Sequence, residues 1–463
     1  MNHKRFDSFR GSLSALIASA QLTTLVATTA FSVAVLSLGT SVSYAQSNAE
    51  GGIFGRVVGA TSAELVGATA TVVNKENGFS RTISVSPAGT FEASGLPIAR
   101  YEISLKLTGR EAIAQAVGVS IGSSTTTRFD VSDRSKDAVK LEKFVVSGQS
   151  VSPVDVTSTE IGLNIDIETV KMLPVARDLT SVALLTPGVL KGDSAFGNLA
   201  SFGGASVAEN AYYLNGFNIT DFRRGLGFGT VPFEFFQDFN VKTTGYSAEF
   251  GRSTGGVVNA ISKRGSNTYK ASASIYWEPK DLGEQSPDSY RSNGTIYIVN
   301  SLSKSDSRTA NLEFSGPIVK DKLFFYGLYN IRDNQSEFEN GTTQFFRRRN
   351  KDPFYALKLD WQIFADHAVE FTTFGNSSTT VDQRWTNTVT ATNYQTIVPA
   401  TLGANIGNSY SDRGGRTGIA RYSGRFFENL SISALVGTSN ADASNRSDAS
   451  AQPYIVDRSE EHT

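Results

Sequence analysis

Cysteine is absent from the chain, and histidine occurs only three times, at His3, His367 and His462. The first absence excludes disulfides, thiolate metal sites and a cysteine nucleophile. The second leaves the imidazoles too scattered in sequence to suggest a zinc centre. Neither sign of charge dominates: 43 basic against 44 acidic residues give a net charge of -1, so the basic footprint required for nucleic acid is missing. Glu234 and Glu249 stand about 15 residues apart with no histidine or second acid held near either, so no catalytic constellation is legible and no cofactor is called for. The mean hydropathy of -0.18 argues against a helical membrane protein. It does not argue against a β-barrel, whose strands are apolar only at alternate positions.

What is present begins with Lys4, Arg5 and Arg10, an apolar run over about 13 to 38, and Ser43-Tyr44-Ala45. This is the three-part pattern of an exported precursor, with cleavage expected after Ala45 and residues 1–45 as signal peptide. The competing reading is a retained transmembrane helix, since the run is long enough to span, although Ser and Thr interrupt it throughout.

From 52 to 133 the pattern changes to short alternating segments separated by Asn77-Gly78, Pro87-Ala88-Gly89 and Gly95-Leu96-Pro97, which predicts a small β-sandwich. The succession Gly55-x-Val57, Gly89-Thr90-Phe91 and Gly95-Leu96-Pro97-x-x-x-Tyr101 resembles the carboxypeptidase-regulatory-like domain. No histidine lies in this stretch, so the zinc site of a peptidase cannot be built there; a structural or partner-binding role is expected.

Residues 134–154 are polar and charged, as suits a linker, and contain Phe144-Val145-Val146-Ser147. A short β-prone run between solvated residues can add as a strand to a partner's sheet edge. It can equally be the last strand of the sandwich or the first strand of the unit at 155–265.

That unit shows apolar positions at helical spacing before Pro174, then Arg177-Asp178, a second helix closed by Thr186-Pro187-Gly188, and a strand leading into Asn215-Gly216, a type I′ turn signal. It closes on Pro232-x-Glu234, Glu249-x-Gly251-Arg252 and Gly255-Gly256-x-Val258-Asn259. Taken in order, these motifs resemble the plug domain of TonB-dependent outer-membrane receptors, and residues 144–147 are similar in position and in their valine pair to the TonB box of that family. The resemblance implies that Glu249 and Arg252 pair the plug with the inside of a barrel wall; simple solvent exposure is the competing reading.

Past Asn267 the alternation becomes clean. Tyr269, Ala271, Ala273, Ile275 and Trp277 share one face, and Tyr355, Leu357, Leu359 and Trp361 oppose Ala356, Lys358 and Asp360. Strands are expected at about 268–278, 309–315, 322–334, 353–363, 367–375, 416–427 and 430–440. Connections alternate between long and short, as in outer-membrane barrels. The turn over 316–325 also resembles the first periplasmic turn of Oar-like receptors. Barrels of this class have 22 strands, and at roughly 27 residues per strand the stretch 267–457 supplies about seven. The chain is therefore expected to be an N-terminal fragment with an incomplete barrel, and 458–463 is expected to be a non-native tail.

The expected fold is mainly β: signal peptide, small β-sandwich, α/β plug, and the first part of an antiparallel outer-membrane β-barrel. What the family resemblance implies is active uptake across the outer membrane. The implied partners are TonB, outer-membrane lipid and a small ligand such as a siderophore, cobalamin, oligosaccharide or peptide. An exported β-modular adhesin or surface-structural protein is the alternative.

Overall fold

The structure, a computed structural model, describes residues 49–132, 160–193, 199–221, 227, 231–251, 253–284, 286–340, 343–387, 403–426 and 430–448. The signal-peptide, 144–147 and 458–463 readings, and Arg252, lie outside the described residues. The described part is mainly β, with a few short helices.

Seven strands build the first unit: β1 (Gly51–Val58), β2 (Thr69–Val73), β3 (Ser80–Ser84), β4 (Thr90–Leu96), β5 (Ala99–Lys106), β6 (Ile113–Val119) and β7 (Ser124–Asp130). They form a three-stranded sheet, β4-β1-β7, and a four-stranded one, β3-β2-β5-β6, packed over a core that includes Ile53, Phe91, Leu96, Tyr101, Ile103 and Leu105. The spacing Pro97-x-x-x-Tyr101 has a physical reason, because the buried Tyr101 hydroxyl donates to the Pro97 carbonyl at 2.7 Å. Strand β6 was not expected; its Ala-Gln-Ala and Gly118 carry little β signal.

The second unit contains β8 (Ile161–Asp166), α1 (Ile167–Met172), α2 (Leu179–Ala183), β9 (Val189–Lys191), β10 (Ala200–Phe202), β11 (Ala211–Leu214), β12 (Phe217–Asn218), β13 (Phe236–Thr244) and β14 (Val257–Ser262). Both helices are capped by aspartate: Asp166 accepts from the Thr169 amide at 2.6 Å and Asp178 from the Ser181 amide at 2.9 Å, satisfying N-terminal donors that the helix itself leaves free. Five strands form the sheet β12-β11-β14-β13-β8.

The third unit comprises β15 (Lys270–Glu278), the small hairpin β16 (Ser289–Tyr290) and β17 (Ile296–Ile298), β18 (Lys304–Val319), β19 (Leu323–Asn340), β20 (Gln344–Asn350), β21 (Phe354–Phe364), β22 (His367–Gly375), β23 (Ser378–Thr386), β24 (Asn405–Phe426) and β25 (Leu430–Ser447). Strands β20 and β21 lie end to end along β19 in one unbroken register, and β22 and β23 lie end to end along β24 in one register up to a shift between Arg384 and Trp385. The large sheet therefore has seven staves, as the sequence implied. Several are much longer than expected: the 22 residues of β24 extend about 70 Å, whereas spanning a bilayer takes about 9–11. Within the stretches read as loops, 335–340, 344–350, 378–386 and 405–415 are these extensions.

The outer face of the lower staves carries an apolar belt. Ala273, Leu312, Tyr329 and Tyr355 stand in one cross-strand row, and Leu323, Trp361, Val369, Tyr422 and Ala434 in another. Tyr329, Tyr355, Leu357, Trp361 and Phe371 are exposed. On β21 the belt runs from Tyr355 to Trp361, about 20 Å, close to the apolar height of outer-membrane barrels.

Candidate functional site

The inner face of the wall meets the five-stranded unit across an apolar patch and a charged one. Phe235, fully buried, is the centre of the first, with ring centroids 6.2 Å from Tyr326, 5.9 Å from Phe354 and 6.0 Å from Phe374. These wall residues alternate with the lipid-type face, so the period-2 pattern of the strands delivers them inward.

The charged patch lies beside β14. Its exit residues Lys263 and Arg264 both reach the wall: Lys263 Nζ stands 2.6 Å from Glu313 and Arg264 3.1 Å from Glu370. Glu370 in β22 also receives Arg421 of β24 at 2.9 Å and Lys358 of β21 at 3.5 Å. Lys358 lies 3.7 Å from Asp360, and Glu50, just ahead of β1, stands 3.8 Å from Arg421. Three cations and three carboxylates thus share one buried cluster, in which Lys358 is fully enclosed. Burial works against the Arg264 charge, but the Glu370 and Asp360 carboxylates outweigh it and hold the guanidinium protonated more firmly than in water. Hydrogen bonding is incomplete: Lys358 Nζ, both Asp360 oxygens, Arg264 Nε, and Arg421 Nε and Nη1 make no hydrogen bond among the described residues. A buried network satisfied only in part contributes little net stability.

Asn215 joins the two patches. It sits at the turn between β11 and β12 with φ 50, followed by Gly216 at φ 84, the pair of positive values that a type I′ hairpin demands. Its amide nitrogen donates to Ser262 Oγ at 2.8 Å and to Thr372 Oγ1 of the wall at 3.0 Å, and its oxygen accepts from the Ser262 amide at 2.9 Å. Gly255 and Gly256 precede β14. The Gly256 amide donates to buried Asn210 at 3.0 Å, and a Cβ on Gly256 would stand 2.1 Å from the Phe202 ring, so only glycine lets strand and ring meet. Asn259 is fully buried within β14, opposite Asn240. Gly251 ends a 3-10 turn at φ 44.

Glu249 lies in that turn, exposed, and makes no ion pair among the described residues; Lys263 and Arg264 do pair with the wall. Arg177, ahead of α2, stands over the Tyr276 ring at 4.0 Å and 3.4 Å from Glu234. Sequence reasoning missed Lys263, Arg264, Glu313, Glu370, Arg421 and Glu50. Alternation marked Lys358 and Asp360 as opposite the apolar face, but only register brings these groups together. Among the described residues no group of three or more His, Asp or Glu is gathered as a metal ion would require.

Comparison with known proteins gives three findings. Residues 52–132 match the carboxypeptidase regulatory-like domain. Over 299 residues, 62% of this chain, the sequence is 31% identical to the TonB-dependent transporter Oar of Myxococcus xanthus, of which it covers 27%; the chain spans about a quarter of that curated relative's length. Similar solved structures include the siderophore receptor PirA of Acinetobacter baumannii, at 16% identity and a TM-score of 0.35 over 62% of this chain and 45% of that one. The outer membrane transporter YddB of Escherichia coli has 15% identity and a TM-score of 0.38 over 62% and 48%. The chain is thus Oar-like in sequence, similar to the TonB-dependent transporters, with a carboxypeptidase regulatory-like domain at residues 52–132.

Proposed function

We propose that the chain is the N-terminal part of an outer-membrane TonB-dependent receptor for active uptake of a scarce ligand. The five-stranded unit is its plug and the seven staves are part of the wall that encloses it. The observation that carries this reading is the two-faced wall, with an apolar belt outside and, inside, charged side chains pairing with Lys263 and Arg264 at the end of the plug's last strand.

The two patches suggest how such a plug moves. Parting the charged patch exposes Arg264, Glu370, Lys358 and Arg421 to incoming water, and their hydration offsets the lost ion pairs. Parting Phe235 from Tyr326, Phe354 and Phe374 has no such compensation, because apolar surface is returned to water. The charged side is therefore the edge that opens, and the Phe235 side is the anchor. In this reading residues 144–147 form the box that recruits TonB, the backbone of that segment supplying the added strand. The ligand class stays among siderophores, cobalamin, oligosaccharides and peptides, since one scaffold hosts many ligands.

Membrane fractionation of the full-length gene product tests the reading. Recovery in the outer membrane with heat-modifiable migration supports it, and release as soluble protein favours an adhesin. A peptide covering 137–149 is expected to bind a TonB C-terminal domain and to lose binding on Val145→Pro; no association removes the box assignment.

A further inference from the structure

The carboxypeptidase regulatory-like sandwich contains neither histidine nor cysteine, and it is packed against both other units. Its contacts gather at one end of the wall, that of the short turns. Arg81 in β3, its side chain 9% exposed, donates to Asp366 in the turn between β21 and β22 at 2.8 Å. The β2–β3 turn reaches the turn between β18 and β19: a Cβ on Gly78 would stand 3.1 Å from the Cβ of Asp321. The Asn267 amide donates to the Glu76 carbonyl at 2.6 Å, and Asn267 in turn bonds Asp321 at 2.6 Å. Glu50 accepts from Ser423 of β24 at 2.5 Å and faces Arg421. On the plug side, Gln237 donates to the Ile98 carbonyl and Asn164 to Ser123, each at 3.5 Å. Ile261 of β14 belongs to the sandwich's own apolar core.

These contacts have a common property. Apart from Gln237 and Asn164, they fall on β14 and its exit, on the short turns that flank it, and on Ser423 and Arg421 of β24, the latter being the cation bound to the same Glu370 oxygen as Arg264. We propose that the sandwich is an inner latch: docked on the short turns, it holds the exit of β14 against the wall, and it must undock before the charged patch can part. The surface that does this is the β2–β3 turn with Arg81, together with Glu50, and the partner it fits is a pair of tight turns on the same chain, each carrying one aspartate, Asp321 and Asp366. The inference rests on the plug-and-wall reading and adds a role for the domain in front of it. Short turns lie on the periplasmic side of outer-membrane barrels, so the latch is on the side from which a TonB-driven pull would come.

Two measurements on the full-length receptor in detergent or in outer-membrane vesicles test it. The chain has no cysteine, so Gly78→Cys with Asp321→Cys places one new thiol pair with Cβ atoms 3.1 Å apart. A shift of about half an ångström at these two left-handed turn positions brings them to disulfide geometry. A cross-linked product is expected on oxidation. A heat-modifiable, folded barrel whose two thiols stay free overturns the docking while leaving the receptor reading intact; a product without heat-modifiable behaviour overturns both. In the second measurement, hydrogen exchange at 264–267 and 320–322 is expected to rise at least tenfold in Arg81→Glu and to return in Arg81→Glu with Asp366→Arg. Unchanged exchange in Arg81→Glu, or a rise that the reversed pair does not repair, overturns the latch.

Discussion

Asn215 and Thr372, 157 residues apart in the chain, are joined by a 3.0 Å hydrogen bond that runs from the hairpin turn of the five-stranded unit to the inner face of the large sheet. The same amide group holds Ser262 at the end of β14, so one side chain ties hairpin, last strand and wall together. Asn215→Ala removes all of these bonds and leaves buried partners unsatisfied, at about 1–3 kcal/mol. Faster hydrogen exchange at 215–217 and 261–263 is expected. Thr372→Val should affect only the wall contact and accelerate exchange less.

Removing one charge from the buried cluster should cost more than removing an opposed pair. Glu370→Gln leaves Arg264, Lys358 and Arg421 facing two carboxylates and is expected to destabilise by on the order of 3 kcal/mol. Glu370→Gln combined with Arg264→Met should recover part of that loss. The temperature at which the folded barrel band converts to the unfolded one on a gel reads both. A loss in the double variant equal to the sum of the losses in Glu370→Gln and in Arg264→Met alone would show that the pair is not coupled.

Phe235→Ala empties the centre of the apolar patch and is expected to cost about 3–5 kcal/mol. If the Phe235 side is the anchor, this variant raises exchange throughout β13 and β14, whereas Glu370→Gln raises it mainly beyond Ser262. A reversed pattern contradicts the assignment of anchor and opening edge.

Asp238 in β13 supplies a pH dependence. Burial pushes its carboxyl up to about 8, with the Asp166 carboxylate adding repulsion. The folded unit therefore keeps this proton while the unfolded chain releases it near pH 4. Stability is full below that value, falls as pH rises from about 4 to about 8, and falls no further once the folded form also ionises. Asp238→Asn should stabilise the five-stranded unit at pH 7 by a few kcal/mol at most and flatten the slope over that window, measured by denaturant midpoints. A slope unchanged in the variant would mean that another group carries it.

Local chemistry was legible in the sequence; distant register was not. Asn215-Gly216 and Gly255-Gly256 stood out because turn geometry and close backbone approach demand those residues within a few positions. The seven staves were legible because one apolar and one polar face force alternation. Their extensions were not: Gln344–Asn350 is mostly polar with Phe345 and Phe346 adjacent and so on opposite faces, Ser378–Thr386 is apolar only at Val381 and Trp385, and both are tied by cross-strand pairs such as Arg348 with Asp382 and Arg349 with Asp333, so no sustained apolar period marks them. The charge cluster draws one residue each from the β14 exit, β22, β24 and the lead into β1, with two from β21. No spacing within a single segment could announce it.

The most direct test of the central claim, a lipid-embedded wall around a charged interior, is nitroxide accessibility on the full-length receptor in liposomes. Labels at Phe314→Cys, Leu357→Cys and Phe371→Cys are expected to relax with oxygen and to be shielded from a water-soluble nickel reagent, while a label at Gln383→Cys, above the belt, does the opposite. Equal access of the nickel reagent to all four positions would contradict a membrane-spanning wall.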